Sequence, residues 1–456
     1  MDIFEKLRAM AGPADRLHQQ VIGHDLLIEG PFGPKRMIYA DHVASGRALM
    51  PIEQLVMTDI LPRYANSHTE ASHCGAAMTA MRRAARAQIL RCTRGTPDHA
   101  AIFCGSGATA GINRLVHLLG AGPGIRVIIG PYEHHSNILP WRESGAEVIE
   151  LPEGEQGGPD MAALARALDT DMRCIVAMSA ASNVTGVVSD VAGITRAVKA
   201  AGAAMVWDYA GGAPYLPIDM GLGMDAVVAS PHKFLGGPGA SGVMILRRDA
   251  VRTDRPSLPG GGTVRFVNGA GHDYAANVEA REEGGTPNVL GDIRAGLVFA
   301  LKDHLGQRFI DDRNARWLDK ARDLDAVPGL EMLGRRDVPR LPILAFRVTG
   351  AHQQFVTRLL SDLHGIQARG GCACAGPYVH RLLGIDDAQS ERLRHAILSG
   401  AEIEKPGFTR LNLCWAAPEP EIDAILQAVA RLPQDALRHR DAYCPDPATA
   451  IFRPAA

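Results

Sequence analysis

The 456-residue chain has almost no excess charge of either sign: 48 Lys and Arg stand against 50 Asp and Glu, a formal net charge of -2. So even a balance supplies no general field for drawing in DNA, RNA or anionic lipid, and neither a nucleic-acid partner nor a membrane partner is expected; a local basic patch can still hold a small phosphate. No window has the apolar length of a membrane span. The N-terminal stretch MDIFEKLRAMAGPADRLHQQ has acidic residues early and no continuous apolar run, so a secretory signal is not expected. Internal repeats, low-complexity tracts and Gly/Ser linkers are also missing. The eight cysteines, at 74, 92, 104, 174, 372, 374, 414 and 444, are scattered except for one pair. That is unlike a small secreted disulfide framework, and a reducing cytoplasm is the expected location.

What is present is the composition of an ordinary globular enzyme, with 46% hydrophobic and 21% charged residues, 49 Gly and 29 Pro. The length exceeds what one hydrophobic core usually serves, so two domains are expected. The pattern divides into an N-terminal segment 1-35, a large domain 36-300, a small α+β domain 301-436 on which the N-terminal segment packs, and a polar, Pro-containing appendage 437-456. In the large domain helical stretches such as CGAAMTAMRRAARAQIL, GINRLVHLLG and DVAGITRAVKAAG alternate with the short apolar runs AIFCG, RVIIG, RCIVAMSA, AAMVWD and MDAVVAS. Runs apolar at nearly every position are expected where helices cover both faces of a mostly parallel sheet, which places the domain in the α/β class. Residues 255-289 show little periodicity, and so much irregular chain in one place usually serves a site.

Three polar features follow apolar strands. Lys233 lies in SPHKFLGGPG, directly after DAVVA; by itself such a lysine is an ordinary loop residue. Asp208 ends the strand AAMVWD; by itself it is an ordinary strand-end turn residue. Together they match a chemical need: in pyridoxal phosphate (PLP) enzymes a lysine holds the aldehyde as a Schiff base and a carboxylate pairs with the protonated pyridine nitrogen. The third feature, GSGATAGIN at 105-113, opens a helix, where Gly107, Ala108 and Thr109 offer backbone N-H groups and a hydroxyl to a phosphate. It lacks the Gly-Lys-Ser/Thr ending of a nucleotide P-loop and a well-placed acidic residue for a ribose. In EHHSN at 133-137, His134 is placed to stack on a flat ring; paired histidines can also bind metal or be structural, but no His-Glu-x-x-His accompanies them, and no metal site is expected.

The segments GSGATAGIN, EHHSNILPW, SASNVTG, DYAGG, SPHKFLGG, GGTPN and GIQARGGCACAGP occur in the order found in class V, fold-type I PLP enzymes, and the chain resembles the cysteine desulfurase and selenocysteine lyase group over about residues 36-432. The resemblance implies a large domain with a mostly parallel seven-stranded sheet, a smaller C-terminal α+β domain, and pyridoxal 5'-phosphate as cofactor. It makes Lys233 the Schiff-base lysine, Asp208 the partner of the pyridine nitrogen, His134 the stacked histidine and Asn183 the donor to the ring oxygen. Gly107, Ala108, Thr109, Ser230 and His232 become phosphate contacts within one subunit, with Thr286 donated by the neighbour, which implies a homodimer. Arg410 and Arg369 become the substrate-carboxylate arginines, and Cys374 the nucleophile. A Cys-x-Cys pair is equally the pattern of two structural thiols, a redox pair or half a metal site, and the role of Cys372 is open.

The implied reaction converts L-cysteine to L-alanine and leaves a persulfide on Cys374, with a sulfur-acceptor protein as a further partner. Selenocysteine lyase, aminotransferase, epimerase and cysteine sulfinate desulfinase activities are the alternatives on this scaffold, and a non-catalytic PLP fold is another. Three departures bear on the choice: Gly211 stands where desulfurases commonly have glutamine, Cys372 stands where a histidine is frequent, and Thr69 follows His68 where His-Arg is common.

Overall fold

The computed structural model describes residues 2-67 and 70-455. His68 and Thr69, and with them one of the three departures above, lie outside the described residues. The chain forms two compact units: one takes the chain up to Ala14 with Ser45–Ala181 and Ser189–Gln307, the other takes Asp15–Ala44, Ser182–Val188 and the chain from Arg308 onward.

In the first unit the helices that matter below are α1 (Ile3–Ala11), α2 (His73–Cys92), α3 (Ala108–Leu118), α4 (Val191–Ala200) and α5 (Val289–Leu305). Its strands are β1 (His99–Phe103), β2 (Ile125–Ile129), β3 (Glu147–Glu150), β4 (Arg173–Ser179), β5 (Ala204–Asp208), β6 (Ala226–Ala229) and β7 (Val243–Arg247). They form one seven-stranded sheet in the order β1-β7-β6-β5-β4-β2-β3. Only β7 runs against its neighbours β1 and β6. The apolar runs read from the sequence are these strands, buried because both faces are covered: Ile112, Leu115 and Leu118 of α3 lie in the same core as Ile102, Val127, Ile175, Val206, Val228 and Met244. Helices α2 and α5 approach so closely that a Cβ on Gly296 would lie 2.7 Å from the Ala85 Cα. The parallel strands all end at one edge, and there an open α/β sheet leaves its crevice.

The second unit has a four-stranded antiparallel sheet made of β8 (Leu330–Met332), β9 (Ile343–Val348), β10 (Arg369–Gly371) and β11 (Phe408–Asn412), in the order β8-β9-β11-β10. Helices α6 (Gln353–His364) and α7 (Glu419–His439) bury Phe355, Val356, Leu359 and Leu360, and Ile422, Ile425, Val429 and Leu432 respectively. This agrees with an α+β unit.

The division differs from the expected bounds in three places. Residues 38-39 pair in parallel with 366-367, and Ala40 accepts from the Asn412 N-H, so the stretch through Ala44 joins the second unit while α1 joins the first. Residues 182-188 also join the second unit, because Val187 bridges to Arg340 and the Val188 N-H donates to the Pro339 carbonyl. The C-terminal stretch is not a loose appendage: α7 continues through Pro433 to His439, and an antiparallel hairpin, Tyr443–Asp446 with Ile451–Pro454, follows. Phe452 stacks on His352 at 5.3 Å, and the Tyr443 hydroxyl donates to Asp362 at 2.7 Å, fastening that hairpin to α6.

Candidate active site

Within the first unit, Asp208 is the last residue of β5 and pairs with Val228 of the adjacent β6. Five residues beyond Val228 comes Lys233, in a tight turn that begins at Pro231. The Asp208 side chain is buried, and burial pushes its pKa above the ordinary carboxylate value, while the Ala210 N-H on Oδ1 at 2.7 Å and the charge of Lys233 pull it back down. The two residues paired from the sequence thus lie at or just beyond the ends of neighbouring strands of one sheet.

The glycine-rich turn meets them. Gly107 (φ 83°, ψ -161°) precedes α3 and, as its N-cap residue, offers no side-chain cap, and the N-terminal end of the helix favours an anion. The Ala108 N-H donates to Ser230 Oγ at 3.0 Å. A Cβ on Gly107 would stand 3.0 Å from both Ser230 Oγ and His232 Cε1, which puts the turns after β1 and β6 in contact. Burial, and then the charge of Lys233, hold His232 below the usual imidazole pKa. Thr109 Oγ1 lies 2.7 Å from Ser136 Oγ, which is 3.0 Å from His134 Nδ1. The Ser136 N-H also donates to that Nδ1 at 3.1 Å, so a neutral His134 ring carries its proton on Nε2.

Beside His134 is a residue that the sequence reading passed over. Glu133 is buried, and its carboxylate accepts from the Ser179 N-H at 2.8 Å, the Ser179 hydroxyl at 2.7 Å and the Asn137 amide at 2.5 Å. Ser179 ends β4 and pairs directly with Asp208. Burial, relieved in part by these hydrogen bonds and reinforced by Asp208, pushes the Glu133 pKa up to about 7. The only sequence signal for Glu133 and Ser136 is their place in the EHHSN motif.

This set fits a phosphorylated aromatic aldehyde. A helix N-terminus with the Ser230 and Thr109 hydroxyls beside it suits a phosphate, Lys233 supplies a primary amine, and Asp208 is a buried carboxylate for a protonated ring nitrogen. Thr286 is not among the side chains that meet here; it is exposed in the turn ahead of α5. Gly211 follows in the turn after Asp208, half-buried and without a side chain to donate.

A second cluster lies within the other unit. Arg410 on β11 is buried; its Nη1 donates to the Asn183 carbonyl and its Nη2 to Asp41 Oδ1, each at 2.9 Å. Arg369 on β10, half-exposed, donates through Nε to Asp41 Oδ2 at 2.9 Å. Asp41 follows the short run RMIYA, whose residues 38-39 pair with 366-367. The Asn183 amide nitrogen donates to the Ala373 carbonyl at 2.8 Å, so this residue supports the cysteine loop, and its Oδ1 is buried without a hydrogen-bond partner among the described residues. In that loop Gly371, Ala373 and Cys374 have φ of 123°, 49° and 54°. Left-handed backbone costs a non-glycine residue roughly 1–2 kcal/mol, so the Asn183 bond opposes a real tendency to relax. Cys374 is exposed, Cys372 is half-buried, and Ala375 is fully buried.

Comparison with known proteins assigns this arrangement. The family model described as aminotransferase class-V matches residues 38-425. The cysteine desulfurase CsdA of Escherichia coli is 32% identical over 367 residues, 78% of this chain and 83% of that protein. A cysteine desulfurase of Pectobacterium atrosepticum is 32% identical over 280 residues, 59% of this chain and 68% of that protein. Among solved structures, that of Escherichia coli CsdA superposes with a TM-score of 0.73 at 25% identity, covering 92% of this chain and 98% of that one. The apo cysteine desulfurase of Thermococcus onnurineus, with a TM-score of 0.74 at 22% identity over 87% of this chain and 95% of that one, shares the fold. The chain therefore belongs to the class-V aminotransferase family of fold-type I PLP enzymes and is a cysteine-desulfurase-like member of it.

Proposed function

We propose that this protein is a PLP-dependent cysteine desulfurase that moves sulfur from L-cysteine onto Cys374 and releases L-alanine. The observation that carries the reading is the pairing of Lys233 and Asp208 at the ends of adjacent strands of one sheet, beside the Gly107 turn. When bound, PLP supplies an electron sink conjugated to the substrate α-carbon. Lys233 Nζ would hold the aldehyde carbon and, released by the substrate amine, carry protons at the α-carbon. Asp208 would keep the ring nitrogen protonated through a charge-assisted hydrogen bond, and His134 would lie against the ring.

Arg410, with Arg369 beside it, would bind the substrate carboxylate, since planar guanidinium donors suit that geometry. Cys374, as thiolate, would attack the substrate sulfur: an S-S bond forms, the Cβ-S bond breaks, and the released electron pair ends in the new C-H bond of alanine. One L-cysteine and one protein thiol thus give one L-alanine and one protein persulfide. Its exposure suits a thiol that must hand sulfur to an acceptor protein. The same reading makes the working form a homodimer in which Thr286 reaches the partner's phosphate.

The test is purified protein supplied with PLP and L-cysteine, with alanine and protein persulfide measured for native, Lys233→Ala and Cys374→Ala forms. Native protein should give both products, and each variant should lose persulfide. Native protein that yields neither product removes the reading. Rates on selenocysteine measured side by side decide the substrate.

A further inference from the structure

We propose that Glu133 is a positioning residue that locks the His134 turn and the Asp208 strand end into one rigid unit and places a second acidic group behind Asp208. The inference rests on the cofactor reading above and extends it to a residue with no place in that chemistry. Three donors converge on the Glu133 carboxylate: the Ser179 N-H and hydroxyl at 2.8 and 2.7 Å, and the Asn137 amide at 2.5 Å. Asn137 is itself held, because its Oδ1 accepts from the Trp141 indole at 2.9 Å. Ser179 and Asp208 are register partners, and the Ala180 N-H donates to the Asp208 carbonyl at 2.9 Å, so whatever fixes Ser179 fixes the Asp208 backbone. Glu133 therefore ties the end of β4 to the turn that carries His134.

The site has no room for a loose arrangement. Glu133, Asn137 and Asp208 are buried, and a Cβ on Gly130 would stand only 2.6 Å from Glu133 Oε1. A buried carboxylate with three donors is costly to disturb, since removing it strands the donors. Among the described residues, the charged group that acts on this network is Asp208 from β5, which is itself acted on by Lys233.

Replacing the carboxylate by the similar amide in Glu133→Gln removes the negative charge and turns one acceptor into a donor facing donors. Glu133→Ala removes all three bonds. The experiment compares native holoenzyme with both variants, reading the pH midpoint of the visible band of Lys233-bound PLP and the kcat and KM for L-cysteine. The expected result is a midpoint shifted downward in both variants, because the negative charge that Glu133 carries above about pH 7, which favours the protonated form, is gone, with a kcat reduced by about tenfold and KM within about twofold of native. Variants that match native in midpoint and kcat overturn the proposal. If Glu133→Ala does not fold, Glu133→Gln alone decides by the same midpoint. Native holoenzyme without a visible band or without alanine formation instead removes the cofactor reading, so the two failures are distinguishable.

Discussion

Arg369 and Arg410 stand directly opposite each other across the antiparallel pair β10–β11. Like charges facing across a ladder normally repel, and here Asp41 separates them, with one oxygen on each guanidinium at 2.9 Å. Asp41 is buried, so its charge is poorly screened and the triad keeps both arginines aligned. One carboxylate for two guanidinium groups leaves a net positive charge in the cluster, as a site for a substrate carboxylate requires.

Substituting Asp41→Asn should therefore weaken substrate binding. Hydrogen bonds to charged groups contribute about 1.5–3 kcal/mol, so KM for L-cysteine is expected to rise by roughly tenfold or more, with a smaller change in kcat. Initial rates across a cysteine series measure this. An unchanged KM would mean that the arginine pair does not serve the substrate carboxylate.

Gly107→Ala is expected to damage phosphate binding more than the chain around it. At φ 83° and ψ -161° the backbone is in a region that only glycine enters readily, and the added methyl meets Ser230 Oγ and His232 Cε1 at 3.0 Å. Such backbone positions cost other residues about 1–3 kcal/mol. PLP titration followed by visible absorbance should show at least tenfold weaker binding. Retention of native affinity would place the phosphate elsewhere.

Local pattern made much of this site readable, because strand ends and turns are short-range features. Lys233, Asp208 and Gly107 each follow an apolar run, and the structure brings their turns together at the carboxyl edge of the sheet. Asp41 and Glu133 were not readable in that way. The partners of Asp41 are 328 and 369 residues away, and those of Glu133 include Ser179, 46 residues on. Their roles arise from strand register, which no local spacing encodes. The same reason hid the antiparallel place of β7, whose VMILR resembles the parallel strands in composition. Asn183 was expected at a ring oxygen through its motif; only the bond to the Ala373 carbonyl reveals that it braces the cysteine loop.

The two cysteines of that loop differ in exposure: Cys374 is exposed at a left-handed residue, while Cys372 is half-buried. After stoichiometric L-cysteine, mass spectrometry is expected to find persulfide on Cys374 in native protein and in Cys372→Ala, and none in Cys374→Ser. Sulfur found on Cys372 in the native protein would reverse the assignment. Asn183→Ala should slow persulfide formation, since it removes the bond to the Ala373 carbonyl and loosens the loop.

The buried Glu133 also makes stability depend on pH in a definite direction before cofactor is added. Its pKa is raised to about 7 in the folded protein, above the ordinary value of 4.5 that applies once the chain unfolds, so the folded state binds its proton more tightly. The resulting stabilisation is fully present below about pH 4.5 and is lost as pH rises through about 7, a change of order 3 kcal/mol at most. Asp208, also raised by burial, contributes in the same direction. Glu133→Gln cannot titrate, so the melting temperature of the cofactor-free native protein minus that of the variant should fall between about pH 5 and pH 7. A difference that stays constant across this range, or rises, would show that Glu133 is already ionised at acid pH, with its three donors outweighing burial.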